Sequence, residues 1–386
     1  MNELGFLIEG IGAIEWYHVV MWIIGFVLIF LAIRFKMEPT LLLPMGFGAI
    51  LVNIPFTGVL NSVDAATGEV TSFGILDVLK QVGLDTGEIF PLILFIGIGA
   101  MMDFGPLLSN PKLFFFGAAG QIGIFFTIVL AVLCGFGLNE AITIGVIGTA
   151  DGPTSITVAN SLLAGTSSAG LISAITVCAY SYMALVPVIQ PAVIKLTTTK
   201  KERMIRMEYN PKSVSKGTRI VFPIVVTLIS GLIAPASVAL VGCLMFGNLI
   251  RECGVLGSLA DTASNVLSNL VTIFLGITVA AGMLGEQFLT LNTLIIMALG
   301  LFAFVFDMTG GIMLAKFVNI FAKKKINPMV GSAGISAFPM ASRIVQKLGL
   351  QEDPSNHLLM HAAGANVAGQ ISSVIAGGIL MALAGI

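Results

Sequence analysis

Asp151 is a carboxylate in the middle of a strongly apolar chain, within GVIGTADGPTSITVAN. The bilayer makes such a group expensive, and intramembrane acids mark ion or proton paths. Its neighbours sharpen that reading. Gly148, Gly152 and Pro153 do not sit easily in an unbroken helix, so the chain is expected to break where the carboxylate lies. A broken helix with a charge at its tip is one way transporters build a cation site. Other polar groups fall in comparable places. Thr149, Thr154 and Ser155 flank Asp151. Asn327, Ser332 and Ser336 lie in INPMVGSAGISAFPMAS, and Tyr180, Tyr182, Asn366, Gln370, Ser372 and Ser373 lie in later apolar stretches. One carboxylate among neutral oxygens suits a hard monovalent cation, with unwound backbone carbonyls as further ligands. Each single hydroxyl also has a packing reading, because small residues let membrane helices approach closely.

The elements that must position these groups are membrane helices. The chain has 386 residues, 56% of them hydrophobic and only 10% charged. A soluble domain carries about 25% charged residues. The expected fold is therefore an all-α polytopic membrane protein. A formal net charge of −1 gives no polyanion-binding signal, so no nucleic-acid partner is expected. Cys134, Cys178, Cys243 and Cys253 lie in or beside apolar stretches without CxxC spacing and read as small core residues. His357 and His361 are spaced i, i+4, which would place them on one face if the stretch is helical, but they lack a third zinc-type ligand. There is no P-loop, GxSxG, HExxH or Rossmann fingerprint. The acidic start MNELGFLIEG is unlike a secretory signal, which begins basic.

Apolar runs near the length of a span fall at 18–34, 40–60, 90–104, 113–134, 168–195, 218–234, 236–250, 266–285, 288–306 and 356–386. That is about ten spans. Residues 140–164 and 327–342 are interrupted by Gly, Pro and small polar residues and are expected to be re-entrant hairpins, covered by protein or lining a cavity. With the N-terminus outside, eighteen of the nineteen Lys and Arg residues fall at cytoplasmic ends and only Lys80 is left outside, as the positive-inside rule requires. The two hairpins then enter from opposite faces. Gly148-Thr149-Ala150-Asp151 matches Gly331-Ser332-Ala333-Gly334 in position, each with a later Pro, Pro153 or Pro339. This predicts an inverted repeat whose tips meet near the midplane, with a scaffold and a mobile transport bundle.

The expected organisation is 1–139, N-terminal spans with an acidic external loop at 61–89; 140–196, the first hairpin and following span; and 197–217, a basic cytoplasmic loop. Residues 218–306 hold second-half spans, and 307–386 the second hairpin and C-terminal span. A short amphipathic helix is expected around Ile75–Leu84. Asp103 and Asp307 each precede a Gly-bearing break near a cytoplasmic end and are read as caps for the segment that follows. Glu286 and Gln287 fall at an outer end, where solvation explains them. Arg343 flanks the second hairpin on the cytoplasmic side, where it either binds an entering carboxylate or ureido oxygen or snorkels to the interface. Trp16 and Tyr17 read as interfacial anchors.

Four motifs in order, IGTADGPTSI, AYSYMALVPVIQP, INPMVGSAGISAFPMASR and GANVAGQISSVIAGG, resemble the beta subunit of the biotin-dependent, sodium-translocating decarboxylases, over essentially the whole chain. That family acts on oxaloacetate, methylmalonyl-CoA, glutaconyl-CoA or malonate. The resemblance implies decarboxylation of carboxybiotin presented by a partner subunit, coupled to sodium export and proton uptake. It implies Asp151 as the central sodium-binding carboxylate, with Asn327 and Asn366 as ligands and Gly331 giving close backbone approach. It ties Ser336, Tyr180 and Tyr182 to sodium and proton handling, and Arg343 to carboxybiotin. The implied partners are a biotin carrier, a carboxyltransferase alpha subunit and a small membrane-anchored gamma or delta subunit, with a homo-oligomer in the bacterial cytoplasmic (inner) membrane. Gln370 and Ser372-Ser373 depart from the expected pattern after NVAG and bear on a second sodium site. The alternative reading is a sodium- or proton-coupled secondary transporter of a small carboxylate, which inverted hairpins would serve equally well.

Overall fold

A computed structural model describes residues 6–64, 70–86, 88–209 and 214–385. Glu69 of the acidic loop and Lys212 of the basic loop lie outside the described residues. The apolar runs are helices: α1 (Trp16–Phe35), α2 (Pro39–Val52), α3 (Ile89–Met101), α4 (Phe114–Ala119), α5 (Ile122–Leu133), α6 (Leu138–Val146), α7 (Gly152–Leu163) and α8 (Leu171–Thr197). The second half holds α9 (Lys216–Ile233), α10 (Val238–Glu252), α11 (Gly257–Ala280), α12 (Leu291–Phe321), α13 (Met340–Glu352) and α14 (Leu359–Leu383). A minimal hairpin, Ser62–Val63 with Val70–Ser72, is the one sheet among the described residues.

Among the described residues, seven helices are long and apolar enough to cross a membrane: α1, Pro111–Leu133, α8, α9, α11, α12 and α14. Ile75–Asp85 with α3 makes an eighth if that bent pair is one span. A span needs about 20 residues. Of the ten expected runs, α2, α3 and α10 form helices of 14, 13 and 15 residues, shorter than the expectation. They are held by neighbours: α2 lies against α1 and α11, and α3 lies along α10. The chain is an all-α polytopic membrane protein. Large apolar side chains such as Phe26, Phe30, Phe126, Leu228, Leu232 and Phe317 are exposed, which suits a hydrocarbon surround.

Basic side chains at several helix ends are held by ion pairs and hydrogen bonds. Arg203 pairs with Glu352 at 2.6 Å, Lys316 with Glu202 at 3.1 Å and Arg219 with Glu252 at 3.6 Å. Arg206 pairs with Asp353 at 2.5 Å, and Arg251 donates to the Met101 carbonyl at 2.7 Å. These contacts tie the 198–209 segment to the ends of α12 and α13, and the end of α10 to the ends of α3 and α9. At the opposite helix ends, Asn160 donates to the Leu84 carbonyl at 3.0 Å, Thr157 to Glu88 and Ser168 to Glu140. The short helix expected near Ile75–Leu84 forms as Ile75–Lys80 with a wider turn at Gln81–Asp85.

Asp103 caps as expected, accepting from the Gly105 amide at 2.8 Å at the start of the short helix Gly105–Ser109. Asp307 does not. The helix runs straight through VFDMTGG, so no break follows it. Asp307 is fully buried and accepts from the amide of Gly123, in the first turn of α5. A helix N-terminus has unpaired amides and a positive dipole end, which a carboxylate from another helix satisfies.

Two clusters of buried side chains form the interior. One gathers Met21, Leu41, Met45, Leu94, Tyr180 and Leu275 around α1, α2 and α11. The larger gathers residues of α6, α8, α12 and α14 with Ala150, Ala333 and Ala337.

Candidate functional site

The chain breaks at Asp151 for local reasons. After α6 the backbone tightens into a 3-10 turn, Ile147–Thr149, then Ala150 takes a left-handed conformation at φ 52°. Asp151 is the N-cap of α7. Gly152 and Pro153 fill its first turn, where proline's missing N–H costs nothing. Gly152 has a second reason to lack a side chain: a Cβ there would lie 2.3 Å from the Tyr180 ring.

Asp151 is buried, and its Oδ2 accepts from Thr154 Oγ1 at 2.8 Å, Gln370 Nε2 at 3.0 Å and Ser373 Oγ at 3.0 Å. Its Oδ1 has only a long contact from the Thr154 amide, at 3.5 Å. Tyr180 Oη, Ser336 Oγ, Asn366 Oδ1 and Ser372 Oγ are four of the ten side-chain oxygens that are buried without a hydrogen-bond partner among the described residues. An unsatisfied buried polar group costs about 1–3 kcal/mol, so such a set calls for water or a cation. Among the described residues no group of three or more His, Cys, Asp and Glu side chains is placed to hold a metal. The donor set at Asp151 is one carboxylate with neutral oxygens.

The second break is brought to the first. Pro328–Ala333 forms a 3-10 turn, and α13 begins at Met340. Between them the Ser336 amide donates to the Thr149 carbonyl at 3.1 Å. Asn366 donates to the Ile335 carbonyl at 2.6 Å, pinning the same stretch to α14.

A cavity of about 290 Å³ runs past these breaks, lined by Asp151, Tyr180, Ser336, Gln370, Arg343 and Glu38. Leu41, Leu94 and Tyr180 of the smaller cluster form one wall, and Ala150 and Ala337 of the larger form another. The cavity therefore sits on the seam between the two cores. An adjoining cavity of about 500 Å³ shares Met101, Ser264, Phe338, Pro339 and Arg343 with it and adds Arg251 and Asp261. The path from Asp151 thus leads to the basic end of the molecule. Arg343 is exposed, in the first turn of α13. A cation there opposes the helix dipole, so its placement favours an anion in the cavity.

The structure brings together Asp151, Tyr180, Ser336 and Arg343, with Asn366 holding the second break in place. It does not bring Asn327, Gly331 or Tyr182 to the cavity. The Asn327 amide donates to the Arg203 and Ile205 carbonyls, both at 2.8 Å, and its oxygen accepts from Met329 at 3.0 Å. It caps a turn and ties down the basic segment. Gly331 lies against α12, where a Cβ would meet the Gly311 carbonyl oxygen at 2.1 Å. Its close backbone approach is to a helix. The Tyr182 hydroxyl donates to the Met297 carbonyl, and its ring stacks on Phe304. Ligand roles for these three have no support in their surroundings. Gln370 and Ser373, which the sequence marks only as a departure, are direct partners of Asp151. Glu38 carried no signal beyond being an acid at an otherwise basic helix end.

The family described as the Na+-transporting oxaloacetate decarboxylase beta subunit matches residues 17–384. The chain belongs to that family. It is 47% identical over 382 residues to the methylmalonyl-CoA decarboxylase subunit beta of Propionigenium modestum, covering 95% of each chain. It is 46% identical to the glutaconyl-CoA decarboxylase subunit beta of Acidaminococcus fermentans, covering 98% of this chain and 96% of the relative. The oxaloacetate decarboxylase beta chain of Klebsiella pneumoniae is 42% identical over 434 residues, with 99% of each covered. Membership makes this chain a membrane subunit of a multi-subunit decarboxylase that transports sodium.

Proposed function

We propose that this subunit decarboxylates carboxybiotin and uses that step to move sodium outward across the bacterial cytoplasmic membrane. The observation that carries the reading is the cavity joining Asp151 to Arg343 across the seam between the two buried cores. Arg343 receives the carboxylate of carboxybiotin, brought by a biotin carrier docked at the basic end. Asp151 Oδ1, with the unpartnered oxygens of Tyr180, Ser336 and Asn366, holds the sodium ion. A carboxyltransferase subunit and a small membrane-anchored subunit complete the complex. Moving one charge against 100 mV costs about 2.3 kcal/mol, so loss of CO2 supplies the driving force, and a proton is taken up in the same cycle. The seam is where a bundle bearing the hairpin tips shifts against the scaffold to turn the ion outward. Replacing Asp151 with Asn in the assembled complex abolishes sodium-dependent decarboxylation of carboxybiotin; a variant that keeps both rate and sodium dependence sinks the assignment.

A further inference from the structure

Decarboxylation of carboxybiotin consumes a proton, and the cavity must hold its donor. Four titratable side chains line the cavity: Glu38, Asp151, Tyr180 and Arg343. Asp151 already accepts three hydrogen bonds on one oxygen and is committed to the cation. The Arg343 guanidinium does not give up its proton in a protein. Tyr180 is fully buried, and a phenol ordinarily titrates near 10. Glu38 remains.

Its setting is unusual. It lies between α1 and α2 at the basic end, half-buried, with a left-handed backbone at φ 35° and ψ 61°. Non-glycine residues held in that region are strained and gather at functional sites. Among the described residues its carboxyl makes no hydrogen bond and no ion pair. Burial pushes the Glu38 carboxyl above the usual carboxylate range, and the Arg343 charge across the cavity pulls it back. Arg251 and Asp261 line the adjoining cavity, further toward the surface.

We propose that Glu38 is the proton donor for decarboxylation in this cavity, acting opposite Arg343. The inference rests on the carboxybiotin reading above. As the bond between the ureido nitrogen and the carboxylate carbon breaks, its electron pair returns to nitrogen. Nitrogen takes the proton from the Glu38 carboxyl, and the carbon leaves as CO2. Glu38 is left as a carboxylate, which Arg343 stabilises until a proton from water in the outer cavity restores it. Carboxybiotin anion plus one proton gives biotin plus CO2, so charge and atoms balance.

The test uses the purified complex in proteoliposomes with free carboxybiotin as the probe. General acid catalysis contributes about 100-fold to 10,000-fold. Glu38→Gln is therefore expected to lower the decarboxylation rate by about 100-fold or more, while sodium raises the Tm of the variant as it does the wild type. Glu38→Asp is expected to recover much of the rate with a displaced pH profile, and it carries the test if the Gln variant does not assemble. A Glu38→Gln complex with the wild-type rate and pH profile overturns the proposal. So does one that loses the sodium-induced Tm shift together with the rate, because Glu38 would then serve the ion site or the fold. A Glu38→Asp profile that superimposes on the wild type overturns it as well. If the wild-type complex does not turn over carboxybiotin, the underlying functional reading falls and this proposal with it; a fully active Gln variant overturns this proposal alone.

Discussion

The Ser336 amide donates to the Thr149 carbonyl at 3.1 Å, joining two chain breaks that are 187 positions apart. Each break exposes backbone groups that a continuous helix would pair internally, and lipid offers them no partner. Each therefore supplies what the other lacks. The bond also places Ser336 on the wall of the cavity that Asp151 lines. The relationship between the breaks depends on how closely the second one can lie against α12.

Gly331→Ala tests that approach. The added carbon would sit 2.1 Å from the Gly311 carbonyl oxygen and 2.4 Å from its carbon, both backbone atoms that cannot swing aside. Overpacking of this kind costs about 1–3 kcal/mol. The variant is expected to show a lower Tm in detergent and reduced turnover, and Gly311→Ala the same, because the clash is reciprocal. A Gly331→Ala protein with unchanged Tm and rate would show that the two backbones are not in contact.

Gln370→Leu and Ser373→Ala test the setting of the carboxylate. Each removes one donor from Asp151 Oδ2. Hydrogen bonds to charged groups contribute about 1.5–3 kcal/mol, roughly a tenfold effect or more. With one donor gone the remaining bonds hold the carboxylate less firmly, and protons compete better with the ion. Half-saturating sodium for decarboxylation is expected to rise about tenfold in each variant, and more at pH 6 than at pH 8. Unchanged sodium dependence at both pH values would remove Gln370 and Ser373 from the site.

What the sequence discloses and what it hides divide along a physical line. The break at Asp151 is legible because Gly148, Gly152 and Pro153 act through their own backbone. The side expected for each helix end rests on the sorting of Lys and Arg by membrane face. Partners across the fold are not legible. Nothing near Asn327 in the sequence signals that its amide donates to the Arg203 and Ile205 carbonyls, more than a hundred residues away. Asp307 resembles a cap for its own segment, but the amide it accepts from belongs to a helix in the other half of the chain. Glu38 is silent in sequence because its meaning lies in facing Arg343 across a cavity.

Arg206 and Asp353 give a pH-dependent strap at the basic end. The hydrogen bond and charge of Arg206 hold the Asp353 carboxyl below the usual carboxylate range. A carboxyl whose folded pKa is depressed stabilises the fold at pH values above its unfolded pKa, about 4. That contribution is lost as pH falls through the lower folded value. The 198–209 segment is therefore expected to stay protected from protease at pH 7 and to become cleavable on acidification below about pH 4, read with an acid-active protease. Asp353→Asn should be cleavable there at pH 7. Equal protection of the variant and the wild type at pH 7 would refute the strap.

Asp307 offers the sharpest separation of structure from transport. It is the second fully buried carboxylate in the span region, and a Cβ on Gly148, three residues before Asp151, would lie 2.5 Å from its Oδ2. A reader looking for a second sodium site would choose it. Its bond to the Gly123 amide argues for holding the start of α5. An amide oxygen can still accept that bond, whereas a hydrocarbon leaves the N–H buried and unpaired at a cost of about 1–3 kcal/mol. Asp307→Asn is therefore expected to keep the wild-type Tm and sodium dependence, and Asp307→Leu to lose several degrees of Tm with the sodium dependence of the surviving activity unchanged. An Asp307→Asn complex that folds normally but requires about tenfold more sodium, the effect of losing a charged partner, would instead place Asp307 on the ion path.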